Sequence, residues 1–139
     1  MKTIKPRAIL FTSILLLLAF IPMNLPAQEN MDSSIQLEEA IICRSIENRA
    51  PIASASVFSD TVGQLFCFTK VVGATTDTAI IHHWYLNGKL KASISLPVRS
   101  ASWRTWSSKK ITPGETGDWM VEVVTEDGNA LESILFLVQ

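Results

Sequence analysis

Two dipeptides, Asn87-Gly88 and Asp127-Gly128, restrict the fold of this chain more than any other feature. Each lies between two runs rich in β-branched and aromatic residues, and the four runs are 78–86, 89–98, 118–126 and 129–138. Such dipeptides favour hairpin turns, because Gly and, to a lesser degree, Asn and Asp tolerate positive φ. Two antiparallel hairpins are therefore predicted in the second half of the chain.

Three further runs of the same kind are 37–46, 63–73 and 101–108. Seven short strands within about 100 residues, with no convincing amphipathic helix, are typical of an all-β domain. We predict an antiparallel β-sandwich of about seven strands, for which an immunoglobulin-like topology is one arrangement. A small open barrel is the alternative.

The first 27 residues differ from the rest. Three basic residues open the chain, and an apolar run of 14 residues, 8–21, follows before Pro22 and a short polar region that ends in Ala27. This three-part layout predicts a secretory signal peptide, residues 1–27, which is cleaved after Ala27. The run is too short for a membrane-spanning helix, which needs about 20 apolar residues.

The predicted organisation is a polar, disordered lead over residues 28–35 and a single domain over 36–139. Export places the domain in the periplasm or outside the cell, with membrane contact only through the signal peptide. All 13 acidic residues but only 9 of the 12 basic ones follow Ala27, so the mature chain has a net charge of −4. Nucleic acid is therefore not expected as a partner, since phosphate binding needs a basic face.

Cys43 and Cys67 are the two cysteines of the chain. Disulfides persist in the compartments to which exported proteins go. Two cysteines with no leftover thiol favour a disulfide between them. Two buried free thiols, packed as small apolar groups, are the alternative.

The densest group of candidate binding residues lies in 103–110. Because side chains alternate along a strand, Trp103 and Thr105 point one way while Arg104 and Trp106 point the other. An exposed indole at Trp106, beside Arg104 and Lys109, could stack on a sugar ring or grip an acidic peptide. In the alternative, Arg104 stacks on Trp106 and covers a sheet edge.

The register of the first hairpin decides which of its residues join that group. A three-residue loop over 86–88 would bury Trp84 and His82 and leave Tyr85 and Lys91 outside, as neighbours of the binding patch. A two-residue loop would place Trp84 on the polar side, because a slip of one residue moves every side chain to the other face. We favour the three-residue loop.

The last hairpin has two apolar faces. One alternates into the core through Trp119, Val121, Val123, Ile134, Phe136 and Val138. The other should be polar, yet it is interrupted by Met120, Val124, Leu135 and Leu137. We expect the lead segment, a second copy or another protein to cover that face, so a homo-oligomer is one candidate state.

Catalytic and metal signals are weak, and no enzyme, cofactor or metal is expected. No nucleophile-elbow motif, GxSxG, frames the serines, although Ser107, Ser108, two histidines and several aspartates are available for a hydrolase, the least favoured alternative. His82 and His83 are adjacent in a strand and point to opposite faces, so they cannot bind one ion without distortion.

Several stretches resemble the bacterial domain of unknown function 2914 (DUF2914) family, namely 43–51, 65–68, 82–88, 103–109 and 117–123. The resemblance spans about residues 38–138, and the tryptophan-rich stretch is its specific part. It implies a small domain found in bacterial envelope or multidomain contexts, with no established activity. Leu135 and Leu137 depart from the family pattern, which alternates with polar residues there.

The leading hypothesis is an exported, non-catalytic β-sandwich that binds an envelope glycan or protein. The predicted patch is Arg104, Trp106 and Lys109, with Tyr85 and Lys91 beside it. The second hypothesis is a structural or assembly protein that associates through Met120, Val124, Leu135 and Leu137.

Overall fold

A computed structural model describes residues 35–139, which form nine β-strands. The strands are β1 (Gln36–Glu47), β2 (Ala50–Ser54), β3 (Val57–Phe58), β4 (Gln64–Val72), β5 (Thr78–Leu86), β6 (Lys89–Val98), β7 (Ser102–Lys110), β8 (Gly117–Thr125) and β9 (Ala130–Val138). No helix in this part of the chain is long and apolar enough to cross a membrane. The predicted signal peptide and nearly all of the predicted lead lie outside the described residues.

The strands form two sheets that pack face to face. The first sheet has the order β2-β1-β4-β7 and the second has the order β3-β9-β8-β5-β6. Neighbours are antiparallel, except that β3 runs parallel to β9. The orders β1-β4-β7 and β9-β8-β5-β6 match strands A-B-E and G-F-C-C′ of an immunoglobulin-like sandwich. The predicted all-β sandwich is therefore confirmed, and the barrel alternative is wrong.

Seven of the nine strands match the predicted runs, and β5 and β6 have the predicted bounds. The sequence pattern misses β2 and β3. In β2, Pro51 lacks the backbone N–H of an ordinary strand residue and weakens the sequence signal, and the strand itself is irregular, with a φ of 56° at Ala53. In β3, two residues are too few for an alternating pattern, and they are held by pairing Val57 with Leu137 and Phe58 with Val138.

The core lies between the inward faces of the two sheets. The ring of Phe136 packs edge-on against Trp84 with centroids 6.2 Å apart, and it stacks on Trp119 at 6.0 Å. The first sheet contributes buried residues of β4, among them Leu65 and Val71. The predicted alternation of the last hairpin is confirmed, because Trp119 pairs with Phe136 on the buried side. Each such large side chain contributes about 1.5–3 kcal/mol on burial.

The first hairpin corrects one prediction. Leu86 pairs with Lys89, so the loop consists of two residues, with φ of 49° at Asn87 and 79° at Gly88, and the three-residue loop is wrong. A β-bulge then shifts the register, so that Trp84 faces Ala92. Trp84 is nevertheless fully buried. The bulge adds one residue to β6, and this has the same effect on the pairing of Trp84 as a third residue in the turn would have.

Candidate functional site

Strand β7 forms one edge of the first sheet, and it carries the tryptophan-rich stretch. It pairs with β4 without interruption, from Ser102 opposite Val72 to Lys110 opposite Gln64. Trp103 packs against the core and Ser107 is buried. Arg104 is exposed and Trp106 is half-buried on the opposite side of the strand. The predicted separation of the two tryptophans is therefore confirmed.

A groove runs along β7. It has a volume of about 250 Å³ and is lined by Arg49, Pro97, Trp103, Arg104, Thr105 and Trp106. Arg49 belongs to the turn between β1 and β2, where it and Asn48 both adopt positive φ. The guanidinium of Arg104 donates from Nη1 to the carbonyl oxygen of Arg49 at 3.3 Å. The turn thus supplies a second arginine that the sequence pattern does not associate with Trp106.

A third cation lies next to this groove. Lys70 of β4 is the cross-strand neighbour of Arg104, and its ammonium group forms an ion pair with Glu38. Because Glu38 neutralises the charge of Lys70, the positive charge on the Trp106 side of β7 is that of Arg104 and Arg49. The surface suits a ligand that carries carboxylate groups.

Two predicted members of the patch lie elsewhere. Lys109 lies on the same side of β7 as Ser107, which is the side opposite to Trp106. Its Nζ lies 5.8 Å from the centre of the Trp119 ring. Lys91 pairs with Glu115 at 3.4 Å. The pKa of Glu115 is lowered, chiefly because the Thr112 N–H donates to its carboxylate at 3.0 Å. The structure therefore separates Lys109 and Lys91 from Arg104 and Trp106.

Tyr85, the last predicted neighbour, lies on the outer face of the second sheet. It pairs with Leu90 on β6 and with Met120 on β8. Tyr85, Leu90 and Met120 are not among the residues that line the groove. The patch of five predicted residues therefore reduces to Arg104 and Trp106, with Arg49 added.

The predicted partner face is present in modified form. Met120 pairs with Leu135, which is 71% exposed, and Leu137 lies further along the same side of β9. Together they form a continuous apolar band across the outer face of all five strands of the second sheet. Its members are Val57, Leu90, Tyr85, Met120, Leu135 and Leu137. Val124 is buried four residues away from Met120 and is not part of this apolar band.

A polar cluster is enclosed between the two sheets. Ser107 Oγ lies 2.7 Å from His82 Nδ1 and accepts a hydrogen bond from the indole N–H of Trp84 at 3.0 Å. On the other side of the imidazole, Nε2 lies 3.4 Å from Thr69 Oγ1. The Thr69 hydroxyl donates to the Thr105 carbonyl oxygen at 3.2 Å. All four side chains are buried.

These contacts determine the tautomer of His82. Because the Thr69 hydroxyl donates its proton to a carbonyl, it can only accept from His82, so the imidazole carries its proton on Nε2. Nδ1 then accepts from the Ser107 hydroxyl. Burial, followed by the nearby His83, lowers the pKa of His82 to about 4. His82 is therefore neutral at physiological pH.

The pair of Ser107 and His82 has the hydrogen bond of a nucleophile and its base. Both residues are enclosed in the core, however, and the far nitrogen of His82 faces a hydroxyl rather than a carboxylate. We therefore assign the cluster to the structure of the core. The sequence contains a signal for it, since Ser107 shares a side of β7 with Trp103 and His82 shares a side of β5 with Trp84.

The cysteines correct another prediction. Cys67 pairs with Ile42 and Cys43 pairs with Phe66, so the two thiols project from opposite faces of the first sheet. Both are free and buried, and burial raises the pKa of each thiol. Side chains on opposite faces cannot reach the geometry that a disulfide requires. The expected disulfide does not form in this fold.

Within residues 35–139, no group of three or more His, Cys, Asp and Glu side chains is placed to hold a metal ion. His82 points into the core, whereas His83 lies on the other side of β5. The two imidazoles therefore diverge, as adjacent strand residues do.

The chain matches a model of a protein family. No curated protein matches the chain. The model of the family described as "Protein of unknown function (DUF2914)" matches residues 77–138, which contain β5 to β9. This range includes Arg104 and Trp106, together with His82 and its hydrogen-bond partner Ser107. It is shorter than the expected range of 38–138. The resemblance to the DUF2914 family is thereby confirmed, and residues 77–138 are the part of the chain that carries it.

Proposed function

We propose that the chain is an exported, non-catalytic binding module that holds an acidic envelope component, a glycan or a protein, in the groove along β7. The observation that carries the proposal is that Trp106 and Arg104 lie on the same side of β7, in a groove that Arg49 also lines. An indole offers a large rigid apolar surface, and guanidinium groups donate paired hydrogen bonds to carboxylates.

The distribution of charge favours an acidic ligand over a neutral one. Arg49 and Arg104 both line the groove. Lys70 on the next strand is paired with Glu38 and adds no net charge. One N–H of Arg104 is already used by the carbonyl of Arg49, which holds the guanidinium in place. A carboxylate that approaches Trp106 would therefore meet a positioned donor, which reduces the entropy lost on binding.

Isothermal titration of the purified protein tests this proposal. The probes are oligogalacturonic acid, an acidic glycan, and a glutamate-rich peptide, with a neutral chitooligosaccharide as the control ligand. We expect Trp106→Ala and Arg104→Ala to weaken binding of an acidic probe by at least about tenfold, the range of a central interface residue. Ser108→Ala, two residues further along the same side of β7, should leave the affinity unchanged.

Two results would contradict the proposal. One is that a folded Trp106→Ala variant binds as the parent does, and the other is that neither acidic probe binds. Export is tested separately by mass spectrometry of the protein recovered from outside the cytoplasm. We expect its first residue to be Gln28, and retention of residues 1–27 would contradict cleavage after Ala27.

A second candidate function is self-association through the apolar band. Three members of this band, Val57, Leu90 and Leu135, have exposed fractions of 47%, 50% and 71%. A continuous exposed apolar surface of this kind typically marks an interaction site. Sedimentation equilibrium should show a dimer that Leu135→Glu abolishes and that Ser133→Glu, on the same strand, weakens less. A monomer at all concentrations would contradict this candidate.

A further inference from the structure

The outer edge of β7 is open. β7 is the last strand in the order of its sheet, and among residues 35–139 no strand pairs with its other side. Four consecutive residues of β7, 103–106, line the groove. The groove therefore follows β7, and Arg49 and Pro97 complete its lining.

The pairing with β4 identifies which backbone groups are open. Gly73 donates from its backbone N–H to Ala101, and Ile111 donates to Gly63, both at 2.9 Å. Hydrogen-bonded pairs alternate in an antiparallel ladder, so the odd-numbered residues between these points direct their N–H and C=O groups to β4. The even-numbered residues Ser102, Arg104, Trp106 and Ser108 direct theirs to the open edge, where the carbonyl oxygen of Ser102 already accepts from the Ser100 hydroxyl at 2.8 Å.

The other edges of the sandwich are interrupted. β6 has a bulge beside Trp84 and contains Pro97, which has no N–H. β3 has two residues, and β2 has five with a positive φ at Ala53. β7 has nine residues without a proline or a shift in register. It is the edge best suited, within the described residues, to accept another strand.

The charge of β7 indicates what kind of strand it accepts. β7 contains Arg104, Lys109 and Lys110 and no acidic residue. Pairing of β7 with β7 of a second copy would bring like charges together, which is unfavourable, and such charges protect an edge from self-association. An acidic partner strand removes this repulsion and gains the attraction of Arg104 and Arg49.

We infer that β7 binds an extended acidic peptide segment as an added antiparallel strand. The inference rests on the proposed function for the location of the site, and it names a protein rather than a glycan as the partner. Residues that exchange hydrogen bonds across a ladder share a face. The partner residues that form backbone hydrogen bonds with Arg104 and Trp106 therefore place their side chains beside those of Arg104 and Trp106. These residues must be the ones that carry the carboxylates.

Selective methylation of a peptide backbone tests this geometry. The probe is a fluorescein-labelled nonapeptide in which Glu and Val alternate, and binding to the purified protein is followed by fluorescence anisotropy. N-methylation of the Val amides should leave the affinity within about twofold. N-methylation of the Glu amides should lower it by at least about tenfold, because it removes the donors that face β7.

A protein variant tests the same point from the other side. Ser108→Pro removes one N–H at the open edge, where proline is tolerated, and leaves the side chains of Arg104 and Trp106 in place. We expect it to weaken binding of the nonapeptide by about fivefold, the effect of one hydrogen bond. Ser108→Ala keeps the N–H and should bind as the parent does. Unchanged binding by a folded Ser108→Pro variant overturns the inference.

The remaining outcomes separate the inference from the proposed function. Equal binding of both methylated peptides would show attraction by charge alone and would overturn strand addition, while the groove remains the site. Binding of oligogalacturonic acid that depends on Trp106, with no binding of the nonapeptide, would overturn the inference and support the proposed function. Failure of every acidic probe would contradict both.

Discussion

His82 and Ser107 meet in the interior of the sandwich, with 2.7 Å between Nδ1 of the imidazole and Oγ of the hydroxyl. They lie on different sheets, β5 and β7, so their hydrogen bond joins the two layers. The same hydroxyl accepts from Trp84, and the far nitrogen of His82 donates to Thr69. Every donor in this chain of hydrogen bonds has an acceptor only while His82 is neutral.

Stability should therefore fall when the pH is lowered through the ordinary range of histidine. The folded pKa of His82 is about 4, below its ordinary value of 6.5, so the unfolded chain takes up a proton that the folded chain refuses. The contribution is present above pH 6.5 and is lost as the pH falls toward 4. Urea unfolding should show a loss of roughly 2 kcal/mol between pH 7.5 and pH 5.

Two variants identify the group responsible. His82→Gln should flatten this pH dependence, whereas His83→Gln, on the other side of β5, should keep it. The pKa of Glu115 is lowered from 4.5, so protonation of this residue reduces stability only at lower pH. An unchanged slope in His82→Gln would rule out His82 as its source.

Ser107 should matter much more to stability than its neighbour. Ser107→Ala leaves the Trp84 N–H and His82 Nδ1 without their partner in the core, which should cost about 2–4 kcal/mol. Ser108→Ala changes an exposed side chain and should cost less than about 0.5 kcal/mol. Chemical unfolding of both variants measures the difference, and similar costs would contradict the assigned hydrogen bonds.

The two cysteines should behave as buried thiols. Cys43 and Cys67 are both fully enclosed, and burial raises the pKa of each, which disfavours the reactive thiolate. A thiol reagent should react slowly with the folded protein and should count two thiols per chain after unfolding without reductant. A count of zero would show a disulfide and would require a different pairing of β1 with β4.

Gly117 should be intolerant of a side chain because of Asn87. A Cβ at Gly117 would clash with Asn87 Oδ1, which accepts a hydrogen bond from the Asp118 N–H at 2.9 Å. Gly114 also has positive φ but has open space around it, so Gly114→Ala is the matched control. We expect Gly117→Ala to cost at least about 1 kcal/mol more in urea unfolding. The excess should shrink in an Asn87→Gly background, and its persistence there would contradict the contact.

Local patterns in the sequence predict much of this structure. The alternation of Trp119, Val121 and Val123 identifies the buried side of β8, and the same rule places Trp103 and Trp106 on opposite sides of β7. These predictions succeed because side-chain alternation is a property of a single strand. Applied to Lys109, the same rule separates it from Trp106, in agreement with the structure.

Other features depend on pairing between distant segments, which local patterns do not determine. The two-residue turn alone would pair Trp84 with Lys91, but a bulge shifts the register of β5 and β6 by one residue, so that Trp84 pairs with Ala92. Cys43 and Cys67 project from opposite faces because of how β1 aligns with β4. The carbonyl oxygen of Arg49 accepts a hydrogen bond from Arg104, 55 positions later in the chain. Arg49 lies in the turn between β1 and β2, and β2 carries no strand pattern in the sequence.

The most direct test of the binding groove is a map of amide chemical shifts. Isotope-labelled protein is titrated with the acidic nonapeptide and, separately, with oligogalacturonic acid, and the shifts are followed by NMR spectroscopy. We expect the largest changes at the amides of Arg49, Arg104 and Trp106. Largest changes on the opposite sheet, around Met120 and Leu135, would contradict the groove along β7 as the binding site.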